Sequence, residues 1–361
     1  MARPINRRTR GLIAAAVVIA AAGLLWLADN VTFPSGRLAS EEQDVRELKI
    51  KSGNLSVDYT LEQALADVER LGLNAVNVPV MVEVDTLTSS RMRVNGESLM
   101  KAQSVIHELN KRNVRVLLEP YPWIGKGVYY ETDWKPDDVE LFFREWGRAV
   151  DEIVDRIAVP ESIYALYVAS NLVYLETYEK QWADLIDRVK SRYDGLVTYR
   201  TNWWYTADWD AASQEAYERK IDNNIFGKVD FVSIAAYFEL SDRPVNTVSQ
   251  LVDALHSTTV YGRKQDVVDE IERLQARWKK PVFFGELGFP KREYAAKHPW
   301  NPSPSDNYSA DEQARVFEAY RLTFTQNWFM GFSVFAIGEA GEDKHYYPSE
   351  QSVEVIRNWY S

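Results

Sequence analysis

The 361-residue chain contains no cysteine. Disulfides, a thiolate zinc site and a cysteine nucleophile are therefore excluded, although an extracellular location is not. Histidine is scarce: His107, His256, His298 and His345 are scattered, and none has the spacing of a metal-ligand pair such as HExxH. The glycine-rich phosphate loops GxGxxG and GxxxxGK are also missing, which counts against a nucleotide-binding open sheet. Positive charge is in deficit. The net charge is −11, and the first 28 residues hold four arginines and no acid; the remainder sets 38 basic against 53 acidic side chains, a net −15. Such a surface is ill-suited to nucleic acid. No metal or organic cofactor is indicated, and the acidic stretch from Glu339 to Asp343 reads first as a solvated loop.

What the chain has in quantity is apolar and aromatic side chains. Forty-six per cent of the residues are hydrophobic, enough for a large core, and there are 12 Trp, 20 Tyr and 14 Phe. Many aromatics lie in polar company, as in Tyr121-Pro-Trp123, Trp203-Trp204-Tyr205 and His298-Pro-Trp300. Aromatics interleaved with Asn, Asp and Pro on loops suit a flat neutral ligand, of which a sugar ring is the common example. Residues 11–28 are uncharged and follow Arg3, Arg7, Arg8 and Arg10. Eighteen apolar residues sit at the lower limit for a membrane-spanning helix, and the positive flank keeps the N-terminus inside. A cleaved signal peptide is the rival reading, with Ala20-Ala-Ala22 as its cleavage site. Trp26, near the end of the run, fits an interfacial anchor. The expected organisation is a basic cytoplasmic tail (1–10), a single-pass anchor or signal peptide (11–28), a linker (29–44) and a folded domain (45–361). The folded domain then lies on the extracytoplasmic side of a cell membrane, or is secreted if the helix is cleaved.

Beyond the linker, short apolar runs alternate with amphipathic stretches. Strands are expected at 48–50, 75–82, 114–118, 163–168, 196–199, 229–235, 282–284 and 331–335. Helices are expected at 61–71, 99–112, 136–157, 178–192, 215–222, 267–278, 310–325 and 353–359. Eight such alternations predict an α/β fold, a (β/α)8 barrel, with a doubly wound open sheet as the structural alternative. Chemistry in such barrels sits at the C-terminal ends of the strands. The tips carry Glu83, Glu119-Pro-Tyr-Pro-Trp123, Ala169-Ser-Asn171-Leu172, Thr201-Asn202-Trp203-Trp204, Ala236-Tyr237-Phe-Glu239, Glu286 and Ala336-Ile-Gly-Glu339. Any barrel has polar loops there, and no single residue stands above that background. Carboxylates, amides and aromatics converging on one rim do resemble a sugar-binding cleft. Glu286 is the most telling of them, a lone carboxylate closing the apolar run Pro281-Val-Phe-Phe-Gly-Glu286-Leu-Gly-Phe289.

Three segments carry a family resemblance: Gly195-Leu-Val-Thr-Tyr-Arg-Thr-Asn202-Trp203, Val229-Asp-Phe-Val-Ser-Ile-Ala-Ala-Tyr237-Phe and Lys280-Pro-Val-Phe-Phe-Gly-Glu286-Leu-Gly-Phe. The spacing Gln181-Trp182 to Arg192-Tyr-Asp-Gly195 adds to them. From about residue 45 to its end the chain resembles clan A glycoside hydrolases, and within them the β-mannanase-like barrels of glycoside hydrolase family 113. The resemblance implies a retaining hydrolase of a mannan-like polysaccharide or exopolysaccharide. It implies Glu286 as nucleophile and Tyr237 as the tyrosine that hydrogen-bonds it. Substrate contacts are expected from Glu119, Trp123, Asn202, Trp203, Glu239 and Phe335. The family's general acid/base should end the fourth strand in a pattern like Gly-Asn-Glu-Leu, and this chain has Asn171 there. An amide can neither protonate a leaving oxygen nor activate water. Phe335 likewise stands where a tryptophan is expected. Three explanations remain open. Another carboxylate serves, among Glu119, Glu176, Glu239 and Glu339; or the enzyme works with a different acid or none; or the barrel binds glycan without cutting it.

Overall fold

The computed structural model describes residues 49–341 and 344–360. Their elements follow in the order β1 (Ile50–Leu55), α1 (Leu61–Leu71), β2 (Ala75–Val84), β3 (Met92–Val94), α2 (Gly96–Lys111), β4 (Arg115–Ile124), α3 (Val139–Ile153), β5 (Ala165–Ser170), α4 (Glu179–Lys190), β6 (Leu196–Asn202), α5 (Ala211–Ile221), α6 (Ile225–Lys228), β7 (Val232–Ala235), α7 (Val248–His256), α8 (Val267–Trp278), β8 (Val282–Leu287), α9 (Ala310–Thr323), β9 (Phe329–Ile337) and α10 (Glu350–Arg357). Eight parallel strands run in the order β1, β9, β8, β7, β6, β5, β4, β2, and β1 closes onto β2 through Asn54 and Asn77. The expected eight-stranded α/β barrel is therefore present. The apolar run at 11–28 lies outside the described residues. Among those described, no helix is long and apolar enough to cross a membrane.

Helix ends are set locally. Thr60 accepts the backbone N–H of Gln63 at the start of α1, and Gly72 ends it in the left-handed conformation that glycine adopts without steric cost. Asp138, Asp266 and Ser309 cap α3, α8 and α9 in the same way as Thr60. Several strands outrun their apolar stretches. The third strand is expected to end at Leu118. Instead β4 stays in parallel register with β2 from Ala75↔Arg115 to Val84↔Ile124. β8 likewise runs through Gly285 to Leu287, so Glu286 belongs to the ladder and stands opposite Ala235 of β7. The short antiparallel β3 extends the far end of β2. The helix α3 does not stop at Ile153 but widens into a π turn over Val154–Ala158.

Two kinds of packing follow from the period of two along each strand. Outward side chains meet the helices in one large apolar core that includes Val76, Val78, Ile106, Trp146, Trp182, Phe284 and Phe317. Inward side chains fill the barrel. A separate apolar cluster of Ile50, Ala75, Leu117, Ala165, Tyr167, Phe231 and Phe283 lies at or near the N-terminal ends of the strands. Further along the same inward series the buried residues become polar: Asn54, Asn77, Glu119, Arg200 and Ser233. An apolar floor beneath a polar upper layer is what places charged groups under the C-terminal mouth of the barrel.

Candidate functional site

Arg200 organises the polar layer. It projects from β6 with 2 % of its surface exposed. A guanidinium so buried needs anionic partners, since an unpaired buried charge is costly. It has two. Its Nη2 pairs with Oε1 of Glu119 on β4, and lies 2.6 Å from Oε1 of Glu286 on β8. Its Nη1 donates to the carbonyl of Gly285 at 3.3 Å, and its plane sits 5.0 Å from the Tyr167 ring centre. Asn77 donates to the other Glu119 oxygen and to Asn54, whose amide in turn donates to the Gly285 carbonyl at 3.0 Å. Burial disfavours the charge on Arg200, but Glu119 and Glu286 outweigh it and hold the guanidinium well above its usual range.

Glu286 is 7 % exposed. Besides Arg200, its carboxyl is hydrogen-bonded by the Tyr237 hydroxyl and by the Asn171 amide, whose Nδ2 lies 3.2 Å from Oε1. Burial pushes the carboxyl above its ordinary value. Arg200 and the bonds from Tyr237 and Asn171 act the other way, favouring the charged form, while the charge of Glu119 adds to the rise. Tyr237 is itself held far above its ordinary value by burial and by the charge of Glu286, so it serves as a neutral donor. Its ring meets those of Phe335 and Tyr346 edge-on, at centroid distances of 6.1 and 6.5 Å. Tyr346 is anchored by its hydroxyl to the Pro299 carbonyl at 2.7 Å. Phe335 and Tyr346 also line a cavity of about 170 Å³ together with Glu339, Lys344 and His345.

Asn171 follows directly on β5. Its backbone N–H donates to the Arg200 carbonyl at 2.9 Å, and its φ of 55° is a left-handed conformation in which asparagine is enriched. The same Nδ2 that reaches Glu286 also lies 3.1 Å from Oε1 of Glu131. Glu131 comes from the loop between β4 and α3. The residue is half-buried, but its carboxyl is turned inward. Burial and the charge of Glu286 push that carboxyl from 4.5 up to about 7, against the pull of its own backbone N–H, Asn171 and Arg200.

The sequence-derived residues thus divide. Glu286, Tyr237, Asn171 and Glu119 share one network, and Phe335 borders it. Glu119 lies beneath Arg200, with both oxygens committed to Arg200 and Asn77. Glu239 belongs to another cluster: it pairs with Arg263 and accepts the Trp300 indole N–H at 3.0 Å. Trp123 is half-buried on β4, 6.5 Å from the Tyr121 ring. Asn202 ends β6 opposite Ala235, and Trp203 packs against the main core. Of the other carboxylates weighed, Glu176 is bound to Lys220 and Thr201, and Glu339 to Lys344; the strand-tip Glu83 is bound to Asn95 and Arg93. Sequence reasoning missed Arg200, Asn77, Tyr346 and Glu131. Arg200 left a faint signal, a cation directly after the strand expected at 196–199 and inside β6 as it folds. Glu131 left a weak one, a carboxylate among aromatics in Tyr129-Tyr-Glu131-Thr-Asp-Trp134. Among the described residues, no group of three or more His, Asp or Glu side chains is placed to hold a metal ion.

Comparison with known proteins adds the family context. Residues 49–352 match the sequence profile of Glycoside Hydrolase Family 113. Among solved structures, the GH113 β-mannanase AaManA from Alicyclobacillus acidocaldarius superposes with a TM-score of 0.67 at 17 % identity, over 87 % of this chain and 96 % of that one. A GH113 β-1,4-mannanase gives 0.65 at 19 % identity, over 86 % and 98 %. A β-glucuronidase from Ruminococcus gnavus gives 0.55 at 11 % identity, over 87 % of this chain and 50 % of that one. At these identities the structural likeness is one of fold. No curated protein matches the chain in sequence.

Proposed function

Since this chain belongs to Glycoside Hydrolase Family 113, we propose that it hydrolyses a β-linked, mannan-like polysaccharide with Glu286 as the nucleophile. The observation that carries this reading is the setting of the Glu286 carboxyl. It lies at the C-terminal end of a barrel strand, 2.6 Å from Arg200 and hydrogen-bonded by Tyr237 and Asn171. Those three contacts fix its direction and favour its anionic form, the form that attacks a glycosidic carbon. The mannan-like substrate is taken from the β-mannanases that share the fold. Phe335 and Tyr346, beside Tyr237, supply the ring faces and edges against which a sugar packs.

The uncharged run at 11–28, with arginines before it, supports an N-terminal anchor that holds the barrel on the extracytoplasmic face of a membrane. There it would meet extracellular polysaccharide.

The test is turnover of β-1,4-mannooligosaccharides by the full chain. The wild type should release shorter products. Glu286→Gln should lose on the order of 10⁴-fold or more, as for a nucleophile that nothing else replaces. Unchanged activity in Glu286→Gln would remove the assignment. Asn171 favours a second reading, a barrel that binds glycan without cutting it. Calorimetric binding of mannooligosaccharides by a wild type that releases no product would support that alternative.

A further inference from the structure

We propose that Glu131 is the general acid/base of this barrel, supplied by the loop after β4 in place of the carboxylate that β5 does not provide. The proposal rests on the reading of Glu286 as nucleophile.

The first support is spacing. One amide nitrogen, Asn171 Nδ2, is 3.1 Å from Glu131 and 3.2 Å from Glu286, so the two carboxylate oxygens lie within about 6.3 Å of each other. If each N–H of the planar amide serves one oxygen, the separation is about 5.5 Å. Retaining glycosidases hold their two carboxyl groups about 5–5.5 Å apart, and inverting ones about 6.5–9.5 Å to admit a water. The upper bound lies below the inverting range, and the separation that a shared amide would set matches a retaining site. Asn171 does not replace an acid chemically. It sets the distance between two acids.

The second support is that the loop is held in place. Trp134, three residues on, is fully buried and donates its indole N–H to the Ser89 carbonyl at 2.9 Å. It packs edge-on against Phe142 and Trp146 of α3 at 5.0 and 6.0 Å. The backbone N–H groups of Lys135 and Asp137 donate to the carbonyls of Leu87 and Thr88 at 2.8 and 2.9 Å. The Trp134 N–H closes the short turn onto the Glu131 carbonyl at 3.2 Å. Glu131 thus projects from a clamped turn.

The third support is the difference between the two environments. The cation Arg200 contacts Glu286 directly, whereas its influence on Glu131 is the weakest of those acting there. The other ionisable groups whose fields couple to Glu131 are Glu286 and the Tyr121 phenol, which burial keeps neutral. The direct Arg200 contact therefore favours the anion at Glu286 more than at Glu131. Two acids with divergent environments give the two roles that glycoside cleavage needs.

The chemistry closes with these two groups and water. Glu286 carboxylate attacks the anomeric carbon. As the glycosidic C–O bond breaks, the Glu131 carboxylic acid gives its proton to the departing oxygen, and a glycosyl ester forms on Glu286. Water then attacks the same carbon. Glu131, now a carboxylate, takes one water proton as the ester bond breaks, which frees the sugar and restores both groups.

The test compares the full-length wild type, Glu131→Gln and Glu131→Ala on β-1,4-mannooligosaccharides and on 2,4-dinitrophenyl β-mannoside. Thermal melts of each protein check folding. The alcohol leaving group needs a proton and dinitrophenolate does not. Glu131→Gln should therefore lose about 10²- to 10⁴-fold on the oligosaccharide while keeping the initial burst of dinitrophenolate. It should also lose the fall of kcat/KM at alkaline pH. Azide should accelerate turnover of Glu131→Ala and yield β-mannosyl azide, which loss of a merely structural side chain would not produce. Oligosaccharide turnover at the wild-type rate in both folded variants, with Glu286→Gln inactive, would overturn the role of Glu131 and leave the nucleophile standing. A wild type that cleaves neither substrate would overturn both readings.

Discussion

Asn171 holds two buried carboxylates with one side chain, and the consequence reaches beyond catalysis. Glu131 binds its proton more tightly in the folded chain than in the unfolded one, because burial and Glu286 raise it from 4.5 to about 7. Its contribution to stability is therefore fully present below about pH 4.5 and is lost as the pH rises through 7. Glutamine keeps the shape of the protonated acid without the charge. Glu131→Gln should match the wild type at pH 4 and exceed it at pH 8 by about 2 kcal/mol, a figure reduced from the full shift for partial solvent access. Urea denaturation at the two pH values measures this, and a difference that does not vary with pH would count against it. Individual residues were legible in the sequence to very different degrees. Glu286 and Tyr237 stand at the tips of apolar strands, where a barrel carries its polar groups. Arg200 falls just past the strand expected at 196–199, and only the extension of β6 to Asn202 buries it. Glu131 lies twelve residues after Glu119 in a turn whose position depends on Trp134 reaching Ser89. That is a tertiary contact, and no local pattern encodes it.

At the scale of elements, β8 shows how a strand makes room for charge. A Cβ built on Gly285 would lie 2.8 Å from Arg200 Cδ and 3.0 Å from the Tyr167 hydroxyl, and closer still to Ser233 Oγ. The bare backbone lets the guanidinium pass to Glu119 and Glu286 while the Gly285 carbonyl accepts from Asn54 and Arg200. Gly285→Ala should cost about 1–3 kcal/mol through overpacking and should lower turnover by displacing Arg200. Gly96→Ala is the control, since nothing lies within 4 Å of a Cβ at the start of α2. Stability and turnover should both fall in the first variant, whereas the second should keep its turnover and be at most slightly stabilised; unchanged stability and turnover in Gly285→Ala would show that the strand adapts without disturbing the ion pair. Apolar runs located seven of the barrel strands but not their ends, and the first, expected at 48–50, shares only Ile50 with β1 (Ile50–Leu55). β4 continues through two prolines with its register to β2 maintained, and β8 continues past Gly285 with a shift of register that sets Glu286 opposite Ala235. The helix α7 went unread although Thr247 and Gln250 form a capping box that was visible in the sequence. β3 is three residues long and exists only by pairing with β2.

At the scale of the whole molecule, alternation of strand and helix left a barrel and a doubly wound open sheet, since both bury the two faces of a parallel sheet, and the pairing of β1 with β2 is what closes the barrel. The proposed anchor is separable from the barrel in sequence. Deleting residues 1–28 should move the protein from the membrane pellet to the soluble fraction on ultracentrifugation of lysed cells, and continued pelleting would reject the anchor. The central claim concerns Glu286, and covalent trapping addresses it most directly. 2-Deoxy-2-fluoro-β-mannosyl fluoride needs no proton donor to depart, and its fluorine slows the second step, so the glycosyl ester accumulates. After incubation of the full chain and peptide mass spectrometry, one fluoromannosyl unit should be found on Glu286. It should also appear in Glu131→Gln and be missing from Glu286→Gln. A label on another carboxylate, or no label on the wild type, would contradict the account.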